Sequence, residues 1–341
     1  MMINQKEISV IVQGAIIPDL TIKTLTSLKK FLPSSRIIVS TWDGADVSSI
    51  NCLCDEIVFS PDPGDVGEMH IEELKISKKN NINRQIVSTR EGLKKSRTRY
   101  SLKIRTDFIV ENLNFLRYFG KFGKWGSQSD LRLFDERIIC AGADRPWLKP
   151  FFPYDFLFFG LTQDLLKLFD IKLMSKEEAT WFPDHRPINL DNYNYIKGRF
   201  RYIPEQHIFL TALSKQKTDI FNYVKDCSDV NCTNVLLSQK ALIENFVVLT
   251  FNDFGIYPLK ESLNWLLFPT FHTLTFKEWN VLYDNEYGNA EDIIPASEKH
   301  PLYRMKKHII KAKNSKNILV TIREFFRSCF YVFKYIRMKN F

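Results

Sequence analysis

Apolar segments with the spacing of β-strands alternate with helical patterns through the first 107 residues, and this alternation limits the possible folds more than any other feature. The helical patterns span residues 18–31 and 81–95. The strand-like segments are ISVIVQG (8–14), RIIVSTWDG (36–44), EIVFSPDPGD (56–65) and YSLKIRTD (100–107). Strands that alternate with helices in this way are joined by right-handed crossovers in one sheet. The sequence therefore predicts an α/β fold with a Rossmann-like, mainly parallel sheet.

Polar residues follow each of the four predicted strands. These residues are Gln13-Gly14, Trp42-Asp43-Gly44, Asp62-Pro63-Gly64 and Arg105-Thr106-Asp107. Open α/β sheets bind ligands outside the carboxyl ends of their strands, so we expect these residues to share one crevice. The helix before the last strand begins with NNINRQ (80–85), and its amide groups and Arg84 are expected to face the same crevice. Because the positive end of a helix favours anions, the pattern predicts a site for phosphate.

Two carboxylates beyond residue 107 are candidates for proton transfer. Asp155 lies within the aromatic segment WLKPFFPYDFLFFG (147–160), the kind of apolar setting in which catalytic acids are tuned. Glu205 follows Pro204 in the first turn of a predicted helix. Each also has a structural explanation. Asp155 can be a buried carboxylate whose hydrogen bonds are satisfied, and Glu205 can simply stabilise the positive end of its helix. We expect His207, in the same helix, to be structural.

The positive charge of the chain is concentrated at its C-terminal end. Residues 300–341 contain eleven Lys or Arg and one Glu, a formal charge of +10 within a total of +9, so the rest of the chain is nearly neutral. Aromatic and cationic positions separate onto two faces of a helix over residues 318–337. This tail either packs on its own protein or, as its charge favours, binds an anionic membrane surface. No nucleic-acid partner is expected, because the neutral body continues no basic stripe.

Sequence signals for export, membrane spanning and zinc binding are not found. The N-terminal residues do not resemble a signal peptide, and no apolar run reaches the roughly 18–20 residues that span a bilayer. The six cysteines are too sparse for a disulfide framework. The pairs Cys52/Cys54 and Cys227/Cys232 lack the spacing of zinc sites. The sequence therefore predicts a cytosolic protein.

Five motifs in a fixed order resemble the WavE family of bacterial lipopolysaccharide-synthesis proteins. The motifs are ISVIVQG, STWDG, NRQIVSTREGLKKSRTRYSLKIRTD, PYDFLFFGL and RYIPEQ. The similarity covers roughly residues 8–215 and is strongest in 80–107. It implies a GT-A-like nucleotide-diphospho-sugar transferase domain at 1–215, and we expect a helical extension at 216–300 and a basic amphipathic tail at 301–341. It also implies a hexosyltransferase, peripheral at the inner face of the cell membrane, that moves a sugar from a nucleotide donor to a glycan or glycolipid acceptor.

Such a site must hold a nucleoside diphosphate, stabilise it as it leaves and deprotonate an acceptor hydroxyl. The expected donor-binding residues are Gln13, Gly14, Asp43, Asn83, Arg84 and Arg105. Of the two candidate bases we place Asp155 ahead of Glu205, and Glu205 then binds the donor sugar or the acceptor.

A metal is one of two expectations for the diphosphate. Many GT-A enzymes hold a divalent ion on an Asp-x-Asp pair, and here Arg105 stands where the first carboxylate would be. Asp107 can still hold Mg²⁺ or Mn²⁺ if the diphosphate and waters supply the other oxygens. Alternatively, Arg84 and Arg105 neutralise the diphosphate directly, without a metal.

Two other functions stay open on the sequence alone. A sugar nucleotidyltransferase would normally have a glycine-rich, basic first loop, and GAIIPD (14–19) has neither property. A non-catalytic scaffold of polysaccharide assembly would account for the missing first aspartate. Asp107 and Asp43 also have plain structural roles available, as a cap and as a turn residue.

Overall fold

The structure, a computed structural model, describes residues 3–71, 76–126, 129–181, 200–227, 229–267 and 270–288, together with Phe326 and Cys329. The strands are β1 (Ile8–Gln13), β2 (Arg36–Trp42), β3 (Glu56–Ser60), β4 (Glu68–Ile71), β5 (Ile76–Lys79), β6 (Tyr100–Arg105), β7 (Phe108–Val110), β8 (Ile138–Ala141), β9 (Phe158–Leu161), β10 (Phe246–Leu249) and β11 (Ile256–Pro258). The α-helices are α1 (Pro18–Phe31), α2 (Ile82–Lys95), α3 (Thr162–Phe169), α4 (Lys176–Ala179), α5 (Pro204–Leu213), α6 (Ile220–Tyr223), α7 (Cys232–Asn245), α8 (Phe251–Phe254) and α9 (Phe276–Tyr287).

Seven strands form one sheet in the order β10-β8-β9-β6-β1-β2-β3. Neighbouring strands are parallel, except that β9 runs antiparallel to both β6 and β8. The chain builds outward from β1 through β2 and β3, and then crosses back to place β6 on the other side of β1. The strand order therefore reverses at β1, which is where open α/β sheets bind their ligands. The predicted α/β fold with a mainly parallel, Rossmann-like sheet is confirmed.

The centre of this sheet is buried on both faces. Val10, Ile11 and Leu102 in β1 and β6 have no accessible surface, as expected for strands covered by helices. Helix α2 packs closely on β1 and β2 because Gly92 has no side chain. A Cβ at this position would lie 2.5 Å from Cγ2 of Ile11 and 3.0 Å from Cβ of Ser40. This close packing fixes the first turn of α2 beside the carboxyl ends of the strands.

A small second sheet joins two distant parts of the chain. Strand β7 follows β6 after a two-residue turn and pairs antiparallel with β11, with Phe108 opposite Pro258. The pairing continues one residue further, where the backbone N–H of Leu259 donates to the carbonyl of Asp107 at 2.8 Å. The residues that follow β11 are therefore held against the end of β6.

The segment 216–300, expected to be a helical extension, contains helices but also supplies a strand to the central sheet. Strand β10 pairs with β8 at the edge of that sheet. Residues Met1–Glu291 group as one compact unit, and the predicted domain division at 215 stays a prediction. The predicted amphipathic tail at 301–341 lies outside the described residues, apart from Phe326 and Cys329. No helix in the described part of the chain is long and apolar enough to cross a membrane.

Candidate functional site

A cavity of about 490 Å³ opens at the carboxyl ends of β1 and β6, where the strand order reverses. The chain after β1, the chain after β6 and the first turn of α2 line it, together with Trp42, Asp62 and Lys260. Its polar and aromatic lining includes Gln13, Gly14, Trp42, Asp62, Asn81, Arg84, Gln85, Arg105, Thr106, Asp107 and Lys260. The predicted residues Gln13, Gly14, Arg84, Arg105 and Asp107 thus lie around a single cavity.

Backbone and side-chain hydrogen bonds fix the chain after β1 at the edge of the cavity. Gly14 has a φ of +124°, a backbone conformation that residues other than glycine rarely adopt. Its N–H donates to the carbonyl of Ser40 at 3.0 Å. Thr106 ties this turn to β6 because its hydroxyl donates to the carbonyl of Ala15 at 2.8 Å. The side chain of Gln13 accepts from the hydroxyl of Ser88 at 2.9 Å, which ties the turn to α2. A ligand can approach the backbone closely here.

The first turn of α2 adds a fixed cation to the cavity wall. Arg84 donates from Nε and Nη2 to the two carboxylate oxygens of Asp62, both at 2.7 Å, and from Nη1 to Asn81 at 2.7 Å. The hydrogen bonds from Arg84 hold the pKa of Asp62 below its ordinary value. The helix carries no acidic residue in its first turn, so its positive end is not neutralised from within.

Asp107 binds two cations at the end of β6. Arg105 donates from Nε to Oδ1 at 2.9 Å and from Nη2 to Oδ2 at 2.7 Å, and Lys260 reaches Oδ2 at 2.8 Å. The Asp107 side chain is only 2% exposed. Burial alone would raise the pKa of Asp107, but the charges of Arg105 and Lys260 hold it below its ordinary value. The Arg105 guanidinium also lies over the rings of Phe108 and Phe156, at 5.7 and 5.4 Å from their centroids.

These carboxylates do not fit a divalent metal. Asp107 and Asp62, the carboxylates of the cavity lining, are both already paired with Arg or Lys. Among the described residues, no group of three or more His, Cys, Asp and Glu could hold a metal ion. An ion on Asp107 would meet Arg105 and Lys260 at hydrogen-bonding distance from the same oxygens, and like charges repel strongly in a buried site. The expected metal ligand is therefore an anchor for cations.

The two candidate bases lie together next to the cavity, although neither lines it. The backbone carbonyl of Asp155 accepts from the side chain of Gln85, a lining residue, at 3.2 Å. The same carbonyl accepts from Lys103, a fully buried lysine of β6 whose pKa burial lowers to about 7. Glu205 is close enough to Asp155 for the two charges to interact. The structure thus brings Asp155 and Glu205 into one acidic cluster behind Gln85.

Glu205 has an altered proton affinity in this cluster. The residue is partly exposed, but its carboxyl group is surrounded by protein atoms. Burial, followed by the charge of Asp155, raises the pKa of Glu205 from 4.5 to about 8. The group therefore carries a proton through most of the neutral range and can donate a hydrogen bond there.

Glu205→Gln should raise stability in alkaline solution and leave it unchanged in acid. A carboxyl group whose pKa is higher in the folded state weakens folding as pH rises from 4.5 through about 8, because the folded protein resists its ionisation. One pKa unit corresponds to about 1.4 kcal/mol, and after allowance for solvent exposure we expect a gain on the order of 2 kcal/mol at pH 9. Denaturant unfolding of both proteins at pH 5 and pH 9 measures it. The exposed Glu177→Gln is the matched control, and equal gains in the two variants would contradict the assignment.

Two expected donor-binding residues are not brought into the cavity. Asp43 is exposed and does not line it, while its neighbour Trp42 does. Asn83 is buried, and its side chain is bonded to the backbone N–H and carbonyl of Met174 at 2.8 and 3.0 Å. Its role in the structure is to hold the chain before α4. The structural reading of His207 agrees with its buried position and its 3.2 Å contact to the carbonyl of Lys172.

At the end of β2 the sequence favours Asp43 as the ligand-binding residue, whereas Trp42 lines the cavity. The sequence gives no indication of a second lining residue, Lys260. Lys260 follows β11 and is 153 positions beyond Asp107 in the sequence, as their residue numbers show. No local pattern marks it, because its place in the cavity depends on the pairing of β7 with β11.

The fold and the cavity define a Rossmann-like protein of the GT-A type. Its cations gather at the switch point of the sheet, which is the place at β1 where the strand order reverses. The chain belongs to the WavE lipopolysaccharide synthesis family, since a sequence model of that family matches residues 8–313. This match reaches well beyond residues 8–215, which carry the resemblance in the sequence. No individual curated protein matches the chain. Family membership gives the protein a role in lipopolysaccharide synthesis.

Proposed function

We propose that the protein is a glycosyltransferase, a hexosyltransferase in its reaction, that moves a sugar from a nucleotide-sugar donor to a lipopolysaccharide or other surface-glycan acceptor. The observation that carries the proposal is the cavity at the switch point of the sheet, with Arg84, Arg105 and Lys260 in its wall. Guanidinium and ammonium groups around a helix start are the partners that a diphosphate prefers. Family membership supports the glycan acceptor.

The positions of the lining residues indicate how the donor would lie in this cavity. The indole of Trp42 offers a flat apolar surface for a nucleobase, and the backbone at Gly14 allows the ribose or phosphates to approach closely. Arg84 and Arg105 lie at the two sides where the diphosphate would rest, one on α2 and one on β6. Charge that builds on the β-phosphate as the sugar departs is then stabilised by fixed cations.

The acceptor is assigned to the acidic cluster behind Gln85. Asp155 is proposed as the base that takes the proton of the acceptor hydroxyl, and its neighbour Glu205 as the group that holds a sugar hydroxyl. A carboxyl group that keeps its proton at neutral pH can donate to a sugar oxygen, and the raised pKa of Glu205 supports this division. The backbone carbonyl of Asp155 accepts from the side chain of Gln85, a residue of the cavity wall, at 3.2 Å, and this contact supports a base next to the donor cavity.

The membrane role of the tail remains part of the proposal. A donor that is soluble and an acceptor that is anchored in lipid require the enzyme to work at a membrane surface. The basic residues of 301–341 would supply the attraction to anionic lipid at the inner face of the cell membrane.

A panel of nucleotide sugars tests the proposed function. Purified protein is mixed with donors carrying UDP, GDP, ADP or dTDP, and the rise in melting temperature and the transfer of sugar to lipopolysaccharide fragments are recorded. We expect one donor class to stabilise the protein and to give a product. Asp155→Asn should abolish the product and keep the melting shift, because the base lies outside the donor cavity. If no donor raises the melting temperature, a non-catalytic scaffold is the better description.

A further inference from the structure

We propose that Arg105 and Lys260, held side by side on Asp107, form a cationic clamp that binds the diphosphate of the donor and does the work of a divalent metal. This inference rests on the proposed function, because it concerns the same cavity and assumes a donor with a diphosphate. It adds a residue, Lys260, that no sequence motif assigns to the site, and it makes donor binding independent of metal.

The fold contains a dedicated element that brings Lys260 to Asp107. Strands β7 and β11 pair in a sheet of only two strands, in register from Phe108 opposite Pro258. The N–H of Leu259 then donates to the carbonyl of Asp107 at 2.8 Å, so the backbone of the next residue is already fixed beside the end of β6. The Lys260 side chain completes the contact at 2.8 Å. The pairing of β7 with β11 therefore fixes Lys260 beside Asp107 in the wall of the cavity.

Asp107 orients both cations without using up their hydrogen bonds. The Arg105 guanidinium has five N–H groups, of which Nε and one on Nη2 bind Asp107, so three remain. The Lys260 ammonium has three, of which one binds Asp107, so two remain. Both residues line the cavity and can therefore donate to a ligand while Asp107 holds them in place. Asp107 acts as a positioning residue in this arrangement.

The charge balance of the cavity favours an anion over a cation. Its ionised side chains are Arg84, Arg105, Lys260, Asp62 and Asp107, which sum to one net positive charge. Each carboxylate faces a cation at 2.8 Å or less, so a metal ion would have to displace an existing pair. A diphosphate needs no displacement, because it binds to the donors that remain. Charge-assisted bonds of this kind are about twice as strong as neutral ones.

The test is diphosphate binding with and without metal. UDP, GDP, ADP, dTDP and inorganic pyrophosphate are titrated into the protein by calorimetry, once in excess EDTA and once in saturating Mn²⁺ or Mg²⁺. We expect the tightest-binding nucleoside diphosphate to bind in EDTA with an unchanged Kd. Lys260→Ala should weaken its binding about tenfold or more, and Lys260→Arg should restore most of it. Lys240→Ala is the matched control, since this lysine pairs with Glu286 at 3.6 Å and does not line the cavity.

The outcomes separate the clamp from the function on which it rests. Binding only in the presence of Mn²⁺ or Mg²⁺ would overturn the clamp and leave the glycosyltransferase proposal standing. Metal-free binding that Lys260→Ala does not weaken would overturn it as well, provided that circular dichroism shows the variant folded. If no nucleoside diphosphate binds under either condition, the clamp and the proposed function both fail.

Discussion

Asp107→Asn should destabilise the protein by about 1.5–3 kcal/mol and weaken donor binding, because the amide loses charge-assisted hydrogen bonds and leaves Arg105 and Lys260, at 30% and 36% exposure, without their counter-charge. Here one carboxylate serves two cations, Arg105 and Lys260, and its side chain is 2% exposed. The amide keeps the shape of the side chain but not the charge, so the two cations would repel each other across a short distance. Guanidinium chloride unfolding measures the loss of stability, and calorimetry with nucleoside diphosphates measures the loss of binding.

The same cavity provides a matched control for this prediction. Asp62→Asn removes the other carboxylate of the lining, but its pair with Arg84 is partly exposed, at 28% and 40% of the two side chains. Such a pair contributes about 0–1 kcal/mol, so this variant should unfold almost like the native protein. Addition of Lys260→Met to Asp107→Asn should recover part of the lost stability by removing one unpaired charge. Equal losses in the two Asn variants would contradict a buried anchor at Asp107.

The alternation of strands and helices was sufficient to predict the parallel half of the sheet. Strands β1, β2, β3 and β6 fall where the pattern indicates, because each is an apolar segment followed by polar residues. The antiparallel strand β9 and the edge strand β10 could not be foreseen. Their segments are apolar and aromatic, and an apolar segment does not reveal which strand it pairs with or in which direction.

The cavity was predictable to the extent that it follows from strand ends. Trp42 is the last residue of β2 and lines the cavity, whereas Asp43 begins the turn after the strand and is exposed, so the choice of the carboxylate followed chemistry instead of geometry. A similar limit applies to α2, where Asn81, Arg84 and Gln85 line the cavity while Asn83 faces Met174. Each residue advances about 100° around the helix, and the sequence does not show how the helix is rotated about its axis. It therefore does not indicate which of these side chains face the cavity.

Arg105→Met should lower kcat about 100- to 1000-fold with the donor that proves active, a loss typical of removing one group that stabilises charge in a transition state. The Arg105 guanidinium is fixed by two bonds to Asp107, at 2.9 and 2.7 Å, and by the rings of Phe108 and Phe156. A preorganised cation requires no rearrangement when charge builds on the departing diphosphate. Steady-state rates at saturating donor measure the effect.

The division between kcat and KM decides what Arg105 does. Arg105→Lys keeps the charge but not the planar fork, so it should retain more activity than Arg105→Met and still less than the native protein. Arg90→Met is the matched control, since Arg90 lies on α2, whose first turn borders the cavity. Arg90 pairs with Glu91 at 2.9 Å and does not itself line the cavity. A rise in KM with kcat unchanged would mean that Arg105 binds donor and transition state equally, which would contradict a role in leaving-group stabilisation. A fall in kcat greater than the rise in KM requires the guanidinium to interact most strongly with the charge that forms during transfer, the condition that a metal-free site must meet.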